Sequence, residues 1–181
     1  MIEPMHVVSV NISPGGIPKL AQPSCRVDVN GLAEDGHNHE KHRSPLQAVS
    51  LIDLEILDAM KTEGFHFRPG ELGENLTLSG AAIQNRGLGD RLRFEHGLEL
   101  EITKVRTPCY VLDSINPELK RIMWNRIGMY ARVIVPGTVA ADDSFEIHET
   151  GPGPRPATRT VPEGAIDGAA FSLSVLGIGT S

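Results

Sequence analysis

The stretch "RLRFEHGLELEITKVR" (residues 91–106) carries the clearest alternation of apolar and polar residues in the chain. Leu92 and Phe94 alternate with arginines before Gly97. Successive side chains of a strand point to opposite faces, so this period of two predicts half-buried β structure on both sides of the glycine. Beyond it, acidic residues and a threonine separate the apolar Leu98, Leu100 and Ile102.

Apolar and β-branched stretches elsewhere predict further short strands, separated by glycines and prolines. The predicted strands cover residues 5–12, 25–32, 46–52, 74–80 and 131–139. Apolar residues at helical spacing predict two short helices, one capped by Ser50 and ended by Gly64, the other capped by Asn116 and ended by Gly128. Many strands with few helices predict a mainly β fold, and we expect a closed β-barrel with short peripheral helices.

The C-terminal part has a different composition. Residues 149–164 contain four prolines and three glycines but almost no large apolar residue, which is typical of a linker or extended arm. Residues 169–179 are apolar enough for one more strand. We therefore predict a β-barrel domain over residues 1–148 and a Pro/Gly-rich extension over residues 149–181.

The overall composition excludes several classes of protein. A net charge of −6 argues against nucleic-acid binding, which needs a basic surface. No run approaches the roughly 20 apolar residues of a membrane-spanning helix, and the N-terminus lacks the pattern of a secretory signal. Two cysteines do not suggest a disulfide framework. We expect a soluble cytoplasmic protein with reduced thiols.

Two polar stretches are candidate ligand sites. The segment "HNHEKH" brings His37, His39 and His42 close together, which suits a metal ion, but such a cluster on a loop is more often solvated or bound to an anion. The segment "GELGENL" (residues 70–76) combines turn-forming glycines with the carboxylate of Glu74. Its backbone N–H groups could bind phosphate, or the segment could simply be a turn before a strand.

Cys109 is the main candidate for chemistry. Arg106 and Lys104 are close in sequence, and positive charge favours the thiolate, which attacks sulfur or binds metals. Pro108 restricts the backbone that aims the sulfur. A free cysteine is also commonly a small buried apolar residue, and the spacing leaves both interpretations open. Cys25 has Pro23 and Arg26 nearby but no other partner in view, and we expect it to be a packing or surface residue.

Six motifs in a fixed order carry a resemblance to a known family. Together they resemble a MOSC domain, the module named from the C-terminal part of molybdenum cofactor sulfurases, from about residue 7 to about residue 148. The motifs are "VVSVNISPGGIPK", "DGHNHEKHRSPLQAVSL", "RPGELGENLTLSG", "GLGDRLRF", "LEITKVRTPCYVLD" and "RIGMYARVIVPGTV".

The resemblance implies a β-barrel of the pyruvate-kinase type and a site around Cys109, the cysteine of the family's "R-x-PC" motif. It implies that Cys109 binds the molybdenum of a molybdopterin cofactor or carries sulfur as a persulfide. The residues it implies for cofactor binding are Arg43, Asn75, Arg106 and Arg126, with His37, His39, His42 and Glu74 as further pocket residues.

The function implied is the catalytic component of a molybdenum-dependent reductase of N-hydroxylated compounds. The alternatives are a sulfur carrier or sulfurtransferase, and a non-enzymatic barrel that binds an anionic ligand. We expect a small-molecule substrate, a separate electron donor or a cysteine desulfurase as partner, and no pyridoxal phosphate on this chain. Neither nucleic acid nor a membrane is expected as a partner, and assembly into a homodimer stays open.

Overall fold

A computed structural model describes residues 4–36, 44–150 and 161–168. The strand predicted at residues 169–179 lies outside these ranges. Within them, no helix is long and apolar enough to span a membrane. The strands are β1 (His6–Ile12), β2 (Leu20–Gln22), β3 (Ser24–Asp28), β4 (Gly31–Leu32), β5 (Val49–Asp53), β6 (Leu76–Ser79), β7 (Arg91–Phe94), β8 (Glu99–Val105), β9 (Met129–Val135), β10 (Gly137–Ala140) and β11 (Phe145–His148). The α-helices are α1 (Leu54–Thr62) and α2 (Leu119–Ile122), and the 3-10 helices are Pro45–Gln47, Ile83–Asn85 and Tyr110–Ser114.

The described strands form two sheets. The larger sheet has eight strands in the order β11-β7-β8-β9-β5-β6-β1-β2, and the smaller has the order β10-β3-β4. All pairs in these sheets are antiparallel except β5 with β6. The predicted mainly β fold with few helices is confirmed.

The predicted closed barrel is wrong, because both sheets are open among the described residues. The edge strands of the large sheet, β2 and β11, have only three and four residues and do not pair with each other. The chain next to β11 reaches β1 only through an isolated bridge between His6 and Ser144 and bonds such as Val7 N–H to the Asp143 carbonyl (2.9 Å). Such short edge strands cannot supply the continuous ladder that closure requires.

The alternating stretch at residues 91–106 forms the antiparallel pair β7 and β8, with Leu92 opposite Leu100. Both leucines are fully buried, while Arg91 on the other face pairs with Glu99 and Glu101. The turn between the strands contains Gly97 in the left-handed region. Alternation therefore predicted this pair and its buried face correctly.

Two aliphatic cores position the loops between the strands. The first fills the space between the sheets and includes Val10, Leu51, Leu76 and Leu100. The second lies against α1 and joins it to the segment after β8 through Leu112, Leu119, Ile122, Met123 and Ile127. This second core anchors the chain that follows Cys109.

Residues 161–168 pack back on the chain around α2. The Ile166 N–H donates to the Arg121 carbonyl (2.8 Å), and the Gly168 N–H donates to the Trp124 carbonyl (2.8 Å). The Asn125 amide donates to the Asp167 carboxylate (2.7 Å). Part of the C-terminal extension therefore contacts the β domain, and the predicted boundary at residue 148 stays a prediction.

Gly128 lies just before β9 in a position that accepts no side chain. Its φ is 97°, and a Cβ atom there would overlap the Leu51 carbonyl oxygen. We expect Gly128→Ala to lower the free energy of unfolding by about 3 kcal/mol or more, because strain adds to a backbone clash. Urea unfolding followed by circular dichroism measures this loss.

Gly97→Ala is the matched control, because Gly97 has a similar φ of 92° and open space around its missing Cβ atom. It should cost only about 1 kcal/mol, the cost of left-handed backbone. Equal losses in the two variants would show that no clash exists at Gly128.

Candidate functional site

A cavity of about 330 Å³ opens beside Cys109. Its walls come from six parts of the chain: the loop after β1, Gly36 after β4, the segment from Gln47 to Ser50, the turn before β6, the end of β8 with the 3-10 helix after it, and the segment from Ile127 to Tyr130. These parts are far apart in sequence, and the large sheet and the second core bring them together.

Cys109 is partly exposed and lines the cavity. Its backbone is extended, and its carbonyl accepts the Leu112 N–H (3.1 Å) at the start of the 3-10 helix Tyr110–Ser114. Because Leu112 is buried in the second core, this bond fixes the backbone next to the sulfur. Cys109 is therefore not the small buried apolar residue that spacing alone left open.

Cys25 has the opposite environment. It lies on β3, is buried in the first core, and its thiol contacts the Ala33 carbonyl oxygen (3.5 Å). Burial raises the pKa of the Cys25 thiol. Cys25 is the packing cysteine of the chain and provides an internal control for the reactivity of Cys109.

Arg106 joins two walls of the cavity. Its buried guanidinium donates to the Ile127 carbonyl (3.0 Å) and to the Leu72 carbonyl (3.1 Å). The same group lies 5.6 Å from the ring centroid of Tyr130, a cation–π distance. Arg106 therefore holds the wall in place and also adds positive charge to it.

The lining of the cavity is cationic. Lys19, Lys104 and Arg106 line it, and no carboxylate is among the lining residues of the described chain. Lys19 is held by a buried ion pair with Asp35 (2.6 Å), whose side chain is only 1% exposed. A chain with a net charge of −6 thus concentrates positive side chains at one concave site, which favours an anionic ligand.

Asn75 forms the polar back of the cavity. Its side-chain oxygen accepts the N–H (3.0 Å) and the hydroxyl (3.1 Å) of Ser50, and its amide donates to Asp35 (2.9 Å) and to the Asn11 carbonyl (3.3 Å). These bonds connect β1, β5 and the loop after β4, and they hold the Asn75 side chain in one orientation. It shapes the wall rather than moving to meet a ligand.

A model of the MOSC domain matches residues 38–146. The chain belongs to the MOSC domain family. MOSC domains are associated in general with binding of the molybdenum cofactor. No curated protein was found to match the chain.

Three solved structures resemble this MOSC domain, each at 20% sequence identity. YuaD from Bacillus subtilis has a TM-score of 0.68, and the match covers 80% of this chain and 96% of the YuaD chain. YiiM from Geobacillus stearothermophilus also has a TM-score of 0.68, over 95% of this chain and 84% of its own. YiiM from Escherichia coli has a TM-score of 0.61, and the match covers 100% of this chain and 80% of the YiiM chain. At this identity the likeness shows the fold.

The structure brings together three of the residues predicted for the site of the MOSC domain: Cys109, Asn75 and Arg106. Glu74 lies behind the lining, where it accepts the Gly70 N–H (2.7 Å) and the Thr77 hydroxyl (2.9 Å). Burial raises the pKa of the Glu74 carboxyl. Glu74 therefore supports the turn that forms one wall.

Arg126 does not line the cavity. Its guanidinium pairs with both carboxylate oxygens of Glu63 (3.2 and 2.9 Å), and its contact with a cofactor stays a prediction. Four other predicted site residues, Arg43, His37, His39 and His42, lie outside the described residues. The one cluster of possible metal ligands among the described residues, Glu95, His96 and Asp143, shares no residue with the cavity lining.

Sequence reasoning missed Lys19, Ser50 and Tyr130 as parts of this site. Ser50 is predicted to cap a helix, and Lys19 lies in the glycine- and proline-rich stretch after the first predicted strand. Each lies more than fifty residues from Cys109 or on another strand, so no local spacing connects them. The motif "SPGGIPK" contained Lys19, and the paired glycines before it were the available signal.

Proposed function

We propose that this MOSC domain binds the molybdenum cofactor in the cavity beside Cys109, with the Cys109 sulfur as a ligand of molybdenum. The proposal extends to the catalytic component of a reductase of N-hydroxylated compounds. The observation that carries it is the position of a partly exposed cysteine on a concave surface that Lys19, Lys104 and Arg106 line.

The residues present fit the chemistry of the cofactor. Its phosphate is an anion, for which Lys104 supplies charge, while Lys19 lines the same cavity in an ion pair with Asp35. Its pterin is a flat ring system, for which the stacked Arg106 and Tyr130 supply a polar and aromatic surface. A thiolate is a soft ligand that suits molybdenum. A volume of about 330 Å³ lies within the range of small-molecule sites.

The residues of the chain have separate roles in this mechanism. Cys109 would hold the metal, and Lys104 would supply positive charge for the phosphate. The apolar Leu72, Leu112 and Ile127 line the same cavity and limit the access of water. When bound, the cofactor supplies two-electron redox chemistry. Converting an N-hydroxyl compound to the amine and water consumes two electrons and two protons, so a separate electron donor is part of the proposal.

Molybdenum and pterin analysis tests the proposal. The full chain should be expressed in a host that makes the cofactor and in one that does not. We expect molybdenum and pterin in nearly equal amounts with the chain from the first host. Loss of metal is expected in Cys109→Ser but not in Cys25→Ser, since Cys25 lies in the core.

The absence of both metal and pterin in the parent chain, next to a control molybdoenzyme that is fully loaded, would contradict the proposal. Loading that is equal in Cys109→Ser and Cys25→Ser would keep cofactor binding but remove Cys109 as the ligand. If the chain contains no cofactor but binds another anion, the result would instead support a non-enzymatic domain that binds an anionic ligand.

The partial exposure of Cys109 favours a second candidate function, that of a sulfur carrier. The Cys109 thiolate would take the outer sulfur of a donor persulfide, form Cys109 persulfide and release the donor thiolate. Nearby cations favour an anionic persulfide. Mass spectrometry after exposure to a cysteine desulfurase and cysteine should then show one added sulfur on Cys109, and an unmodified Cys109 would rule this function out.

A further inference from the structure

Asp53 is a buried carboxylate that no part of the proposed function uses. It ends β5 and directly precedes α1, but its side chain does not cap that helix. Instead it accepts the N–H groups of Ile83 (2.9 Å) and Gln84 (3.2 Å). These two residues begin a 3-10 helix that follows Ala82 in the left-handed region, so Asp53 fixes an unusual backbone segment.

A chain of hydrogen bonds continues from this 3-10 helix to the cavity. The side chain of Gln84 is buried, and its oxygen accepts the Gly128 N–H (2.7 Å). The Gly128 carbonyl in turn accepts the Arg106 N–H (3.1 Å). The Gly128 backbone also packs closely on β5, because a Cβ atom there would overlap the Leu51 carbonyl oxygen.

The far end of this chain is the wall that carries Cys109. Arg106 binds the carbonyls of Ile127 and Leu72 with its side chain and stacks near Tyr130. Cys109 follows three residues later, and no strand pairing holds the residues between them. Arg106 is therefore the residue of this hydrogen-bonded chain that lies nearest to Cys109 in sequence.

Protonation of Asp53 weakens the first link. An ionised carboxylate accepts hydrogen bonds well with both oxygens. A neutral carboxyl has only one good acceptor oxygen, and its hydroxyl is a donor that needs an acceptor of its own. Burial raises the pKa of Asp53 to about 7; the Ile83 and Gln84 N–H groups and Arg86 oppose this rise, and Glu55 adds to it. Among the described residues, Glu55 and Arg86 are the charged side chains that act on it.

We propose that Asp53, Gln84 and Gly128 form a relay that positions Arg106, so that the charge on Asp53 controls access to Cys109. With Asp53 ionised, the relay holds the wall closed around Arg106. With Asp53 neutral, the wall loosens and Cys109 reacts faster with reagents. This regulation belongs to the chain itself, and it does not depend on the ligand that the cavity binds.

Alkylation of Cys109 in the full, cofactor-free chain tests the relay. Iodoacetamide labelling is followed by mass spectrometry of the Cys109 peptide at about pH 6 and about pH 8, on either side of the Asp53 transition. The reactivity of the thiol itself changes with pH, so each variant is compared with the parent chain at the same pH. Amide exchange at Gly128 N–H reports the relay independently.

Asp53→Asn should react like the parent at the lower pH and about fivefold faster at the higher pH, the lower end of coupling between linked sites. Gln84→Met keeps the length of the side chain but removes the acceptor, and we expect the same pattern. The double variant should equal either single variant, because both break one relay. Exchange at Gly128 N–H should speed up in each.

Two control variants separate the relay from other groups that titrate. His96→Gln changes a histidine whose pKa is raised by its bond to Asp143, away from the cavity lining. Glu74→Gln changes another buried carboxyl near the wall, one whose pKa burial raises. If either control and not Asp53→Asn shows the pH-dependent change, the proposal is overturned. A constant ratio of Asp53→Asn to parent at both pH values also overturns it. Circular dichroism checks that each variant is folded. If Asp53→Asn is unfolded, the reactivity of Gln84→Met relative to the parent decides whether the relay exists.

Discussion

Arg106→Lys is expected to lower the free energy of unfolding by about 2–4 kcal/mol, although it keeps the positive charge. A lysine ammonium is a point donor and cannot bond the Ile127 and Leu72 carbonyls while it also stacks near Tyr130. At least one buried carbonyl then loses its partner, and such a loss costs about 1–3 kcal/mol. Urea unfolding with circular dichroism measures the change.

The matched control for this change is Arg132→Lys. Arg132 lies on the same strand as Tyr130, its side chain is 44% exposed, and it pairs with Glu101 at the surface. Exposed ion pairs contribute about 0–1 kcal/mol, so the control should be almost neutral. If the two lysine variants unfold alike, Arg106 does not hold the walls of the cavity together.

The stability of the chain should fall as the pH rises from about 4 to about 7, and Asp53 should cause part of that fall. Its pKa in the folded chain is about 7, above the ordinary value of 3.8. Between these values the folded state binds the proton more tightly than the unfolded state, so folding is favoured at the acidic end. The contribution is fully present below about pH 4, is lost as the pH rises to about 7, and reaches on the order of 4 kcal/mol.

Comparison of the parent with Asp53→Asn isolates this contribution. The free energies of unfolding should differ most in favour of the parent near pH 5 and least near pH 8. Other carboxylates titrate equally in both chains and cancel in the difference. Parallel curves for parent and variant over this range would show that the pKa of Asp53 is not raised in the folded chain.

The sequence predicted local structure well where one physical signal dominates. The alternation at residues 91–106 gave the β7–β8 pair and its buried face. The β-branched stretch at residues 5–12 corresponds to β1. In both stretches the local side-chain pattern and the burial of apolar residues in the fold favour the same structure, a strand. Tertiary contacts therefore agree with the local prediction.

Element ends and sheet closure depend on distant contacts and were not predictable. Ser50, expected to cap a helix, lies inside β5, and α1 begins only at Leu54. The bonds of Ser50 to Asn75, twenty-five residues away, explain its place in the strand. Asn116, the other expected cap, bonds the Glu118 N–H, and α2 begins at Leu119. Closure of a barrel depends on the pairing of β2 with β11, and no local pattern encodes it.

The site was partly predictable, because the order of motifs indicates some of its residues but not their contacts. The order of motifs pointed to Cys109, Arg106 and Asn75, and all three lie at the cavity. The sequence could not show that the Arg106 guanidinium donates hydrogen bonds to two carbonyls, or that Lys19 lines the same cavity. Those facts arise from the meeting of loops that the sheet brings together.

Protection of Cys109 by the cofactor is the most direct measurement of the proposed site. The full chain is purified from a host that makes the cofactor and from one that does not, labelled with iodoacetamide, and the labelled fraction of each cysteine is read by mass spectrometry. We predict that Cys109 is labelled in the cofactor-free chain and protected in the loaded chain, while Cys25 stays unlabelled in both. Equal labelling of Cys109 in the two samples, with molybdenum present in the first, would contradict the assignment of the cofactor to this cavity.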